Sequence, residues 1–151
     1  MSMEFSTRTF SDLSVDALYD ILQLRSSVFV VEQTCAYLDP DGADRQAVHM
    51  MGAEGGRLAA YARIFGPHAT HTAVRIGRVS VHPDFRGRGL GIRLMEACIA
   101  YAGETWPATD IELEAQSYLL KFYGDLGFEI RGEEYLEDGI PHTRMLRSAR
   151  D

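Results

Sequence analysis

The stretch RVSVHPDFRGRGLG at residues 78–91 constrains this chain more than any other. Alternating apolar residues make its first four positions a strand, a Pro-containing turn follows, and three glycines then fall within five positions among arginines. Leu90, Leu94, Ala97, Cys98 and Tyr101 recur at helical spacing, the apolar face of a helix that ends near Trp106-Pro107. Strand, glycine loop and helix in that order gather free backbone N–H groups at the positive end of a helix dipole. Glycine lets the chain approach an anion with no Cβ in the way. The segment is therefore either a basic surface turn or a cradle for a ligand carrying several phosphates.

Charge favours the cradle. The chain has a formal net charge of -7, yet residues 75–93 hold Arg75, Arg78, Arg86, Arg88 and Arg93 against one acid, Asp84. That is a local +4, which leaves −11 for the remainder. So acidic a balance argues against a nucleic-acid partner. No apolar run approaches the ~20 residues of a membrane span. MSMEFSTRTF has no apolar signal core, so neither a membrane partner nor export is expected, and the location expected is cytoplasmic. Cys35 and Cys98 read as reduced, packed thiols. His68 and His71 lie in a loop with no CxxC or HExxH nearby, so no metal site is expected. A length of 151 residues, 46% of them hydrophobic, fits one domain over 1–151.

The remaining elements follow from period and punctuation. MEFSTRTF alternates as a short first strand, and Ser14 caps a helix from about Val15. That helix runs into SSVFVVEQ, where its period becomes ambiguous. CAYLDPDGAD is a loop, and Gly55-Gly56 joins two strands in a tight turn. In AVRIGRVSV the apolar parity switches between Ile76 and Val79, which predicts a bulge near Gly77–Arg78. DIELEA is a strand, QSYLLKFYGDL a short helix stopped by Gly127, and FEIRGEEYL with HTRMLR a C-terminal hairpin about EDGIP. The order β-α-β-β-β-α-β-α-β-β describes an α/β (α+β) sandwich with a mixed sheet.

Two familiar glycine motifs fail here. There is no GxxxxGK[ST], and Gly87-x-Gly89 is followed by Ile92 where a dinucleotide fingerprint needs glycine. The pattern [R/Q]xxGx[G/A] is met by Arg86, Gly89 and Gly91. Together with the preceding VSVHPDFRG it resembles the acetyl-CoA pyrophosphate loop of the GNAT N-acetyltransferase superfamily. KFYGDLGF resembles that family's (F/L)YxxxGF, although Phe122, Tyr123 and Phe128 also read as core residues at a helix stop. LRSSVFVVEQ, YLDPDG, IGRVSV, EAQSYLLKFY and YLEDGIPH extend the likeness to the ElaA-like subgroup, from about Leu18 to Met145. RSSVFVVEQ is also similar to acyl-homoserine-lactone synthases, which share the fold.

The resemblance implies a mostly antiparallel central sheet flanked by helices, with a splayed central strand pair, and acetyl-CoA as co-substrate. It implies transfer of an acetyl group to a primary amine, on a small molecule or a peptide, and assembly as a homodimer. Pantetheine would pair with the strand edge at Val79, Ser80 and Val81, with an N–H near Val81 facing the thioester oxygen. The diphosphate would rest on Arg86, Gly87, Arg88, Gly89, Leu90, Gly91 and Ile92. Gln116 stands where the family often has an Asn that bonds the cofactor arm. Tyr123 would protonate the leaving thiolate, and a phenol with a reference pKa of ~10 holds its proton at neutral pH.

The strand VRIGRVSV lacks the carboxylate that many GNAT members carry there, so the base stays open among Glu32, Glu114, His142 and a relayed water. Ile111 and Leu113 point one way on their strand, and Glu112 and Glu114 the other. Asp39, Asp41 and Asp44 are either a solvated turn or an acidic lip for a cationic acceptor. A non-catalytic acyl-CoA-binding module and a transferase of longer acyl chains are the alternatives at this point.

Overall fold

In a computed structural model, residues 2–149 are described. Strand β1 (Glu4–Thr9) leads to helix α1 (Val15–Arg25), whose first turn is closed by the Ser14 hydroxyl accepting from the Ala17 N–H at 3.0 Å. The ambiguous run after α1 is a π-helical turn, Ser26–Glu32, closed by the Cys35 N–H donating to the Val30 carbonyl five residues back. Such turns recur at functional sites. Strands β2 (Val48–Glu54) and β3 (Arg57–Phe65) meet at Gly55-Gly56, both with positive φ, as the type of turn requires. Then come β4 (Val74–Val81), α2 (Leu90–Thr105), β5 (Ile111–Gln116), α3 (Leu120–Gly124), β6 (Glu129–Ile130), β7 (Tyr135–Glu137) and β8 (Ile140–Arg147).

The sheet runs β1-β2-β3-β4-β5-β8-β6, with β7 also on β8, and among the described residues only β4 and β5 are parallel. That pair is in register at Val74↔Ile111 and Arg75↔Glu112 and then separates, the splay expected from the resemblance. The predicted bulge is present. From Gly77 to Ser80 β4 takes three steps where β3 takes two, from Arg63 to Tyr61, and Arg78 absorbs the mismatch at φ 53. The C-terminal hairpin differs from expectation. FEIRGEEYL is not one arm but two short strands, β6 and β7, which occupy successive parts of β8 while β5 covers its other edge. Gly132 lies between the two.

Packing gives the sheet two distinct faces. Val74, Ile76, Leu113 and Met145 bury against Leu94, Met95 and Cys98 of α2 and against Tyr123 and Phe128. On the other side Ile21, Leu24 and Val28 cover Tyr61. Side chains alternate along a strand, so Arg75, Glu112 and Glu114 belong to this second face.

Candidate active site

A cavity of about 750 Å³ opens where β4 and β5 diverge. One end is lined by the glycine loop, Phe122 and Tyr123, and the other by residues of the second sheet face, among them Arg75, Glu114 and His142.

At the loop, His82 Nδ1 accepts from the Asp84 N–H at 3.0 Å and caps a 3₁₀ turn, Pro83–Phe85, that delivers the chain to the glycines. Gly87 and Gly89 adopt φ of 79° and 71°, the left-handed conformation that favours glycine. Among the described residues the amides of 87–92 donate to no protein acceptor. A Cβ on Gly87 or Gly89 would meet no atom within 4 Å and would stand in open space. Six uncommitted N–H groups at the start of a 16-residue helix fit a diphosphate.

The arginines behave otherwise than their clustering suggests. Arg86 forks onto Glu32 at 2.6 and 2.8 Å and donates through Nε to the Val81 carbonyl at 3.0 Å. Arg88 pairs with Glu54 at 2.9 Å, and Arg78 with Asp39 at 2.8 Å. Acids distant in sequence thus offset most of the local +4, and at the loop it is the backbone amides rather than the guanidinium forks that stay uncommitted. Glu32, a candidate base, is engaged by the same contact. Hydrogen bonding to Arg86 holds its carboxylate below the ordinary range, and Glu32 does not line the cavity.

Beyond Arg75 the β5-facing edge of β4 is unpaired, which leaves the backbone of Val79, Ser80 and Val81 beside the cavity. Ser80 is buried and its hydroxyl bonds the Arg78 carbonyl at 3.3 Å. Gln116 also lines the cavity, but its amide is engaged reciprocally with Gln33 at 3.2 Å in both directions. Tyr123 packs edge-on to Phe122 and Phe128, and burial pushes its phenol pKa up. Among the described residues its hydroxyl has no hydrogen-bond partner.

On the second face His142 is buried, stacked on Tyr135, and donates from Nδ1 to the Ile140 carbonyl at 2.7 Å. A carbonyl only accepts, so that bond leaves the neutral ring's lone pair on Nε2. Glu114 takes the Tyr135 hydroxyl, and Glu112 is held by Arg144 at 2.9 Å, with His71 Nε2 lying 3.2 Å from its other oxygen.

Asp39, Asp41 and Asp44 are neither a solvated turn nor an acidic lip. Arg25, fully buried, bonds Asp39 at 2.9 Å and Asp44 at 2.7 Å, and Arg63 bonds Asp41 at 2.7 Å and Asp44 at 3.0 Å. With Arg78 on Asp39, three arginines and three aspartates form one network that ties the loop to α1, β3 and β4. The sequence carried no signal for it beyond the three aspartates, because the arginines come from three separate elements.

Comparison with known proteins agrees with this architecture. The acetyltransferase (GNAT) domain family matches residues 28–148. Protein ElaA of Escherichia coli is 42% identical over 147 residues, covering 96% of each chain. The crystal structure of an acyl-CoA N-acyltransferase from Pseudomonas aeruginosa superposes with a TM-score of 0.93 at 42% identity, over 97% of this chain and all of that one. The AHL synthase LasI, at 14% identity and a TM-score of 0.81 over 99% of this chain and 91% of that one, shares the fold alone. Strand–glycine loop–helix, split central pair and near-full-length identity converge: the chain belongs to the GNAT acetyltransferase family and is an acyltransferase.

Proposed function

We propose that the protein is one domain that transfers the acetyl group of acetyl-CoA to a primary amine, carried by a small molecule or presented as an exposed amino group. The observation that carries this reading is the continuity of one cavity, from the free amides of 87–92, along the unpaired edge of β4, to the free Tyr123 hydroxyl and on to the second face.

When bound, acetyl-CoA supplies a thioester carbonyl as electrophile. The amides of 87–92 hold the diphosphate and the edge at Val79 and Val81 takes the pantetheine arm. Attack by the neutral amine forms the C–N bond, and collapse of the tetrahedral adduct breaks C–S. An N–H near Val81 faces the oxygen as it gains charge. The proton lost by the nitrogen passes to Nε2 of His142, directly or through water, the role for which its Nδ1 bond to Ile140 prepares it.

A phenol near ~10 gives its proton to a thiolate near ~8.5 uphill, by about 2 kcal/mol at reference values. Burial of Tyr123 adds to that cost. The hydroxyl therefore acts as a hydrogen-bond donor to sulfur while charge develops, and the one proton lost by the nitrogen, passed on from His142 through water, completes the thiol.

Release of CoA from acetyl-CoA, followed with polyamines, amino acids and aminoglycosides, tests the reading. Saturable CoA binding with amine-dependent release is expected. Absence of any amine-dependent release, with CoA bound, overturns it.

A further inference from the structure

Arg75 stands apart from the other arginines around the second sheet face. Arg25, Arg63, Arg78 and Arg144 each take a carboxylate. Arg75 lines the cavity and, like Arg63, has a buried Nε with no hydrogen-bond partner; unlike Arg63, it has no acid within ion-pair distance among the described residues. Its guanidinium lies over the Phe65 ring at 4.8 Å from the centroid. A guanidinium on an aromatic face keeps its edge donors free for in-plane, bidentate bonding.

The surroundings keep this fork free. Glu112, its register partner across the parallel pair, is bonded instead by Arg144. Glu114 is taken by Tyr135, and Asp41 and Asp44 by Arg63. A partly desolvated cation with an unsatisfied buried N–H carries a cost unless something bonds it. The groups whose geometry matches the fork are a carboxylate and a phosphate, and the free amides of 87–92 at the other end of the cavity already fit the phosphates, which leaves the carboxylate for Arg75. Arg75 sits where β4 and β5 begin to part, on the face opposite Tyr123, so an anion held there would be beside the split in the sheet.

We propose that Arg75 binds the carboxylate of the acceptor, so that the substrate class is the free amino acid, an amine carrying a carboxylate, rather than a polyamine. This deepens the function proposed above and rests on it for the fate of the amine. The carboxylate would lie on the Arg75 fork, with the amino group toward His142 and the thioester.

The test is equilibrium binding to the CoA-loaded protein of the twenty free amino acids, each against its own primary amide, by calorimetry. For at least one side chain the acid should bind about ten-fold or more tighter than the amide, the amount a charge-assisted fork contributes. In Arg75→Gln that ratio should fall to about one, with CoA affinity and melting temperature unchanged. Amides binding as tightly as acids in every pair, or no acid binding at all, overturns the proposal on the wild-type protein alone, whatever the variant does. A carboxylate preference that survives in Arg75→Gln overturns it as well. Acid-selective binding lost in Arg75→Gln but without CoA release from acetyl-CoA supports the carboxylate site and refutes the transfer reaction.

Discussion

Arg86 sets both terminal nitrogens on the carboxylate of Glu32 and its Nε on the carbonyl of Val81, joining the π-helical turn, the end of β4 and the glycine loop through one side chain. The first residue of the loop motif is thereby a brace. Its fork holds the loop's approach, and among the described residues the amides beyond it stay without a protein acceptor.

Glu32→Gln therefore leaves the reaction's kcat within about threefold, whereas loss of a general base costs about 10²–10⁴-fold. Both partners are largely exposed, with side chains 40% and 45% accessible, so stability falls by no more than about 1 kcal/mol. Steady-state rates and urea midpoints check both.

Gly89→Val fills the cradle. A β-branched residue at φ 71 is strained by about 1–3 kcal/mol, and the new side chain stands where an anion would approach the amides. CoA affinity measured by calorimetry should drop at least about ten-fold, because the diphosphate can no longer reach the N–H groups that bond its charge.

Tyr123→Phe keeps the edge-on packing with Phe122 and Phe128 and removes a hydroxyl that bonds nothing among the described residues. Melting temperature and CoA affinity should hold while kcat falls about 10–100-fold, within the range for removing one donor to the transition state. Unchanged turnover would remove Tyr123 from the mechanism.

Asp39→Ala strips the buried Arg25 of its Nε partner and takes an acceptor from Arg78 and from the Tyr37 hydroxyl. Breaking one member of a buried pair costs about 3–5 kcal/mol, to be read from urea unfolding.

Stability should decline in acid in two stages. Burial lowers the pKa of His49, which sits between Tyr61 and the Asp44 carbonyl. The unfolded chain then takes up a proton near ~6.5 that the folded chain refuses, so stability falls as pH drops through that value. Hydrogen bonding to Arg63 holds Asp41 low, and Asp44, despite burial acting the other way, is held low by Arg25 and Arg63. Their contribution is present above the unfolded value of ~3.8 and is lost below it. Urea midpoints from pH 8 to pH 3 should show both stages, and a flat response between pH 8 and 5 would exclude the first.

The elements around the site were legible because their signals are local. A strand's period, Gly55-Gly56, the parity switch at Arg78 and the glycines before Leu90 each act within a few residues. FEIRGEEYL misled because two short strands and one longer strand carry the same alternation; what separates them is which part of β8 each one meets.

The sequence by itself determined the strand–loop–helix with its free amides, the bulge in β4 and the family. Tertiary structure alone decided which charges meet: Glu32 lies 54 residues from Arg86, and Asp39 lies 39 residues from Arg78. Ion pairing across such separations depends on strand register and on how α1 and its π-helical turn lie over the sheet, neither of which a count of charges contains. Folding neutralises most of a segment that reads as strongly basic and leaves Arg75 with no acidic partner among the described residues, because the acid beside it in register is bound to Arg144.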